Sequence, residues 1–193
     1  MTARIAPLMP PYSPEVRTSL EKWMPPGAAV EPLVLFRTVA RYPLLSDRMR
    51  GLGAVFLGRG LLPKRVRELL ILRTCARCQA EYEWGVHVTA FATSVGLDPE
   101  AVASTLRPAS GEGLDTAVLR FADELHDTGT VSDATWETLA SQFEPNAMLE
   151  MLSMVGFYHA ISFIANATRL PLEPWAARMP AEGEPSTPSN GGA

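Results

Sequence analysis

"PKRVRELLILRTCARCQAEYEWGVH", residues 63–87, decides how the chain folds. Pro63 opens a helix, where a missing N–H costs nothing. Val66, Leu69, Leu70 and Leu72 then give that helix a broad apolar face. The second half gathers Cys78, Tyr82, Glu83, Trp84 and His87, so a mostly apolar region collects groups that move protons. Glu83 and His87 stand four apart and share one helix face, where a carboxylate favours the imidazolium form. Tyr82 adds a second proton carrier. Glu68 leads directly into Leu69–Leu72, a candidate for partial burial and a raised pKa. Glu68 and His87 are nineteen residues apart. On one straight helix that is about 28 Å, too far for joint chemistry. They meet only if the chain reverses near Arg77–Ala80, and no glycine or proline marks a reversal there.

Working outward, the punctuation is helical throughout. Residues 1–12 are proline-rich and read as extended; Ser13 then caps a helix with Pro14 at its first position. "PPG" at 25–27 breaks the chain, and apolar residues return at helical spacing from Pro32 to Val39. A helix follows Pro43 and ends near Gly58 or Gly60. Beyond His87 the pattern continues to Gly96. Asp98 and Pro99 start a short helix, and residues 114–127 are amphipathic up to Gly129. Ser132 caps the next helix and Pro145 opens a long apolar one. No strand alternation or hairpin turn persists, so the class is all-α. The organisation expected is an extended segment and short helix over 1–24, one domain over 25–178, and a disordered tail over 179–193 rich in Gly, Pro and Ser. A faint echo runs through the chain: Pro63 precedes Glu68 by five residues, as Pro145 precedes Glu150. One reading is an internal helical duplication; the other is chance, because proline-led helix starts are common.

The totals narrow the function classes. The chain has 193 residues, 47% of them hydrophobic and 20% charged, enough for one domain with its own core. A net charge of −4 gives nucleic acid no broad surface to bind. Residues 147–167 are long and apolar enough to span a bilayer. Glu150, His159 and Asn166 would be costly in lipid, so a helix buried nearly all round by protein, and no membrane, is expected. Two cysteines make no secreted disulfide framework, and the N-terminus lacks a signal-peptide core, so a cytoplasmic location is the default expectation. Cys75 and Cys78 fall late in their helix, where the dipole disfavours a thiolate, and they read as structural. Spacing offers neither a second C-x-x-C nor a paired histidine to complete a zinc site, so no metal is expected. His126 reads as a solvated position, His159 as a satisfied core histidine, and Trp84 and Trp136 as packing residues.

"VRELLILRTCARCQAEYEWGVHVTAFATSVGLDPEAV", with Glu68 followed by Y-E-W-x-x-H, resembles the carboxymuconolactone decarboxylase-like family of the alkylhydroperoxidase D-like superfamily over roughly residues 30–175. The resemblance implies an all-α bundle whose central helical hairpin encloses the site, and homo-oligomers, often trimers or hexamers. It departs from the peroxidase branch. Placing that branch's glutamate and histidine on Glu68 and His87 puts its cysteines at Ala80 and Glu83, and neither is cysteine here. The resemblance therefore implies a lyase or isomerase without cofactor, acting on a small unsaturated acid or lactone as 4-carboxymuconolactone decarboxylase does. In that reading His87 is the acid or base, poised near neutral pH, and Glu68 tunes it. Tyr82 and Glu83 relay or orient, and Arg73, Cys78 and Trp84 are candidates for contacting substrate. Two alternatives stand beside it: a peroxidase-like antioxidant protein using Cys78, and a non-catalytic oligomer that binds a metabolite.

Overall fold

Ser13 caps the first helix, α1 (Pro14–Glu21), by accepting the Val16 N–H. The chain continues through α2 (Val34–Val39) and α3 (Pro43–Ala54), which runs into a π-helical turn over Val55–Arg59. Then come α4 (Lys64–Arg77) and α5 (Glu81–His87), the latter extended by a π-helical turn over Val88–Ala92 and a short 3-10 turn over Thr93–Val95. Gly96, at φ 74°, ends that run. Asp98 caps α6 (Pro99–Ser104) by accepting the Ala101 N–H. α7 (Leu114–Thr128) stops at left-handed Gly129, Ser132 caps α8 (Asp133–Ala140), and Pro145 opens α9 (Pro145–Thr168). The computed structural model describes residues 2–24 and 31–180; the break expected at "PPG" and the tail beyond 180 lie outside them. Among the described residues there is no strand, and the all-α expectation holds.

α4 is the hub, packing against α5, α7 and α9. Every residue from Val66 to Cys75 is buried. The sequence implied one broad apolar face, but α4 is enclosed all round. Its charged residues Arg67, Glu68 and Arg73 are therefore taken out of water, and each needs a partner. The larger core cluster gathers Leu69, Leu70 and Leu72 with Val118 and Phe121 of α7 and Met151 and Met154 of α9. A second cluster joins Val34, Leu35 and Val39 to Tyr82 and Val86 of α5, Ile161 and Ala165 of α9, and Leu170 and Ala176 of the segment after α9.

α4 turns back into α5 without glycine or proline. Gln79 takes the left-handed conformation, φ 51°, that usually selects glycine. The Ala80 N–H reaches back to the Cys75 carbonyl at 2.9 Å, and the Cys78 N–H bonds the Thr74 carbonyl at 3.1 Å. The first closes the six-residue ring of a Schellman stop. Asn166 of α9 ties the same turn from outside, its Nδ2 donating to the Cys78 carbonyl at 2.7 Å.

α9 is apolar enough to pass for a membrane span, with a mean hydropathy of 1.4, yet 56% of that stretch is buried within the fold. It is a core helix, though not one covered nearly all round as expected. Leu149, Ser153, Gly156, Ala160 and Phe163 form an exposed strip, with Leu149 and Phe163 each about 60% exposed. The echo between α4 and α9 extends to burial of both glutamates but not to their partners. Glu150 Oε2 accepts the Leu61 N–H at 2.6 Å, whereas Glu68 faces α5.

Candidate active site

The reversal brings Glu68 and His87 together. Glu68 Oε2 lies 2.7 Å from His87 Nδ1, and both side chains are buried. Arg67 closes the other side: its Nε and Nη2 both stand 2.8 Å from Glu68 Oε1, and its Nη1 donates to the Leu57 carbonyl at 3.2 Å. On the far edge of the ring, His87 Nε2 meets Glu83 Oε1 at 3.4 Å and the Tyr158 hydroxyl at 3.3 Å. The second Glu83 oxygen, Oε2, is buried without a partner. Phe91, half-buried on the π-helical turn after α5, lies against both His87 and the Arg67 guanidinium.

Electrostatics follows from that arrangement. Burial alone would push the His87 imidazole down, but Glu68 and Glu83, one at each nitrogen, outweigh it and hold the ring up to about 9. The ring is thus an imidazolium at neutral pH, rather than poised near neutrality as expected. Glu68 is also corrected. Burial would raise it, as the sequence suggested, but His87 and Arg67 together hold it below the usual carboxylate value. The Tyr158 phenol is pushed well up by burial, with Glu83 and Glu68 adding to the shift, and stays protonated.

The remaining expected residues go elsewhere. Tyr82 points away from His87: its hydroxyl donates to Glu173 Oε1 at 2.6 Å and accepts the Leu35 N–H at 3.0 Å, fastening α5 to α2 and to the segment after α9. Arg73 does not await a substrate carboxylate. It is buried with its Nε 2.6 Å from Asp123 Oδ1 and its Nη1 donating to the Thr105 carbonyl at 3.0 Å. Trp84 packs in the core, with its indole N–H on Thr105 Oγ1 at 3.1 Å. Cys78 lies at the C-terminal end of α4, half-buried, with its Sγ 4.0 Å from His126 Nδ1. His126 is no solvated residue; its Nδ1 is 3.0 Å from His159 Nε2. Burial raises both thiols, Cys75 strongly, with Ser162 pulling the other way.

Sequence reasoning missed Arg67, Tyr158 and Phe91. Arg67 adjoins Glu68, and neighbours on a helix do not normally share a face; the hint was that a helix buried all round has nowhere else to send a charge. Tyr158 stands beside His159 in the apolar helix, and nothing local marks it. One residue of "EYEWGVH" has a purely spatial cause. A Cβ on Gly85 would run into the Ala177 carbonyl oxygen, where the segment after α9 crosses α5. An open groove of about 540 Å³ between α1 and α3, lined by Pro14, Thr18, Lys22, Leu44 and Asp47, shares no residue with this network.

The fold has solved counterparts. A cysteine-to-alanine variant of the debrominase Bmp8, in complex with 2,3,4-tribromopyrrole, is 14% identical with a TM-score of 0.73, covering 91% of this chain and 94% of that one. An uncharacterized peroxidase-related protein from Silicibacter sp. TM1040 is 17% identical with a TM-score of 0.73, covering 90% and 94%. A protein of unknown function from Agrobacterium tumefaciens, associated by its name with the antioxidant defence protein AhpD, is 18% identical with a TM-score of 0.60, covering 69% and 93%. At these identities the likeness is one of fold. No curated protein matches the sequence significantly. Residues 43–124, from the start of α3 into α7, match the carboxymuconolactone decarboxylase family. Residues 43–124 are thus similar to the carboxymuconolactone decarboxylase family, and the chain as a whole shares the helical fold of these solved structures.

Proposed function

We propose that this chain is a lyase or isomerase that needs no organic cofactor and acts on a small unsaturated acid or lactone, with decarboxylation the foremost case and His87 as the proton donor. The observation that carries the reading is the 2.7 Å contact of His87 with Glu68 in a buried site that keeps the imidazole protonated. In decarboxylation the C–C bond to the carboxylate breaks, carbon dioxide leaves, and the electron pair passes into a conjugated carbonyl. The carbon then takes a proton, which an imidazolium supplies. Glu68 fixes the ring through Nδ1, so Nε2 is the atom that gives the proton. Glu83 and Tyr158, which meet Nε2, yield that position to substrate, and a proton taken up from solvent recharges the ring afterwards. Arg67, paired with Glu68, is the cation beside the imidazole.

The proposal extends to assembly and location. The exposed apolar strip of α9 is the surface on which copies of the chain would meet, in a trimer or hexamer. Two free thiols and the absence of a disulfide between them accord with the cytoplasm.

The test is turnover of carboxylated unsaturated lactones by His87→Gln. Loss of about 10²–10⁴-fold is expected, with helicity and assembly unchanged. Wild-type activity should hold at neutral pH and fall above about 9, as His87 loses its proton. Undiminished turnover in the variant, or activity that rises through that range, would overturn the reading. A second reading is hydroperoxide reduction through Cys78, suggested by the peroxidase-related neighbour. The raised thiols weigh against it, and hydroperoxide consumption by the Cys75→Ser/Cys78→Ser double variant separates the two.

A further inference from the structure

Three segments far apart in sequence converge away from His87. Cys78 stands at the C-terminal end of α4, His126 in the last turn of α7, and His159 midway along α9. Cys78 Sγ, a His126 ring nitrogen and a His159 ring nitrogen all lie within 4.8 Å of one another. We propose that these three side chains bind one zinc ion.

Bond geometry supports it. Zinc–sulfur bonds of about 2.3 Å and zinc–nitrogen bonds of about 2.0–2.1 Å in a tetrahedron set sulfur about 3.5 Å from nitrogen and two nitrogens about 3.3 Å apart. Cys78 Sγ lies 4.0 Å from His126 Nδ1, the two histidine nitrogens lie 3.0 Å apart, and Sγ lies within 4.8 Å of a His159 ring nitrogen, so side-chain rotations that draw the sulfur inward close the difference. The protonation pattern is also suitable. His159 Nδ1 donates to the Val155 carbonyl at 2.8 Å, which leaves the lone pair on Nε2, the atom that faces His126. A carbonyl holding the distal N–H is the usual outer partner of a metal-bound histidine. In the metal-free fold His126 Nδ1 donates to that lone pair, and binding zinc through Nδ1 moves the His126 proton to Nε2. Zinc binding takes the thiol proton of Cys78 and releases it to solvent as the thiolate–zinc bond forms. One thiolate with two imidazoles suits zinc far better than magnesium or calcium. All three residues are half-buried, so the ion can enter from solvent. Three protein ligands leave the fourth position for water or a small ligand.

The site is separate from the proposed active site. Tyr158 and His159 are neighbours on α9, yet one meets His87 and the other His126. The zinc site would staple the α4–α5 turn to α7 and α9.

The experiment uses the full chain, stripped with a chelator and titrated with Co²⁺. One equivalent should bind, giving visible bands of tetrahedral intensity and a thiolate-to-cobalt charge-transfer band in the near ultraviolet. One equivalent of Zn²⁺ should erase both and raise the melting temperature. Cys78→Ser should abolish the charge-transfer band. Cys78→Ser, His126→Gln and His159→Gln should each weaken Zn²⁺ binding by at least about tenfold, while Cys75→Ser leaves spectrum and affinity intact. Circular dichroism confirms the fold of each variant, and His126→Gln, at a helix end, carries the test if Cys78→Ser does not fold. Binding without definite stoichiometry, a charge-transfer band that survives Cys78→Ser, or affinity indifferent to both histidines overturns the proposal.

Discussion

The two faces of α5 carry the same kinds of residue to opposite ends. On one face Glu83 and His87 turn toward Glu68, where a buried ring is held between two carboxylates. On the other, Tyr82 reaches Glu173 and Leu35 and acts as a fastener. Tyr82 and Glu83 are adjacent, so about 100° of helix rotation separates a proton network from a structural clamp. Both faces are buried; they differ in what surrounds the titratable group. A buried cation between anions keeps its proton, and a buried phenol beside a carboxylate keeps its own, as a permanent hydrogen-bond donor. Residue type alone marks neither as chemical.

The strongest way to break the contrast is to remove the anion on which it depends. Glu68→Gln leaves Arg67 and His87 buried without their shared carboxylate, so a loss of about 3–5 kcal/mol is expected. Denaturant unfolding measures the loss, and the His87 ring resonances should titrate well below 9. An unmoved His87 titration would mean that Glu83 alone sets it. Gly85→Ala attacks the other face at its edge. The added methyl meets the Ala177 carbonyl, a backbone atom, and threatens the Ala177 N–H bonds to Gly85 and Thr89. A cost of about 1–3 kcal/mol is expected, as for overpacking elsewhere. Proteolytic release of the segment after α9 should rise with it.

The contrast also appears as pH dependence. The folded pKa of His87 is raised, so its contribution to stability is complete below its unfolded value of about 6.5 and disappears as pH rises through about 9. Glu68 is lowered, so its contribution is present above its ordinary value of 4.5 and is lost as pH falls below it. Unfolding midpoints should therefore be flat between about pH 4.5 and 6.5, decline from about 6.5 to about 9, and decline again below about 4.5. The alkaline decline should shrink in Glu68→Gln, where the ring has already lost its raised pKa.

What the sequence made legible was local. Ser13, Asp98, Ser132, Pro43 and Pro145 signal helix starts through their own backbone chemistry, and each helix began where they indicated. The reversal at Gln79 was hidden, because a non-glycine residue accepts φ 51° only when the packing around it insists. Partners distant in the chain were hidden too. Glu173 lies ninety-one residues from Tyr82, Asp123 fifty from Arg73, and His159 thirty-three from His126. Glu68 and His87 were picked out from type and spacing, but the sign of Glu68's shift was misread. Burial could be guessed from Leu69–Leu72, whereas the two cations that reverse its effect required coordinates.

Tyr82→Phe gives the smallest effect and the sharpest test of whether the two faces are independent. Removing the hydroxyl leaves Glu173 Oε1 with the Val34 N–H at 2.7 Å, so that carboxylate stays satisfied. The Leu35 N–H, in the first turn of α2, loses its acceptor and is left buried. One orphaned donor costs about 1–2 kcal/mol, read as a lower unfolding midpoint with unchanged slope. The His87 resonances should titrate as in the wild type, since the Tyr82 hydroxyl hydrogen-bonds none of the ring's partners. A shifted His87 titration would show that α5 transmits strain between its faces, and Tyr82 would regain a part in proton handling through position rather than through its own hydroxyl.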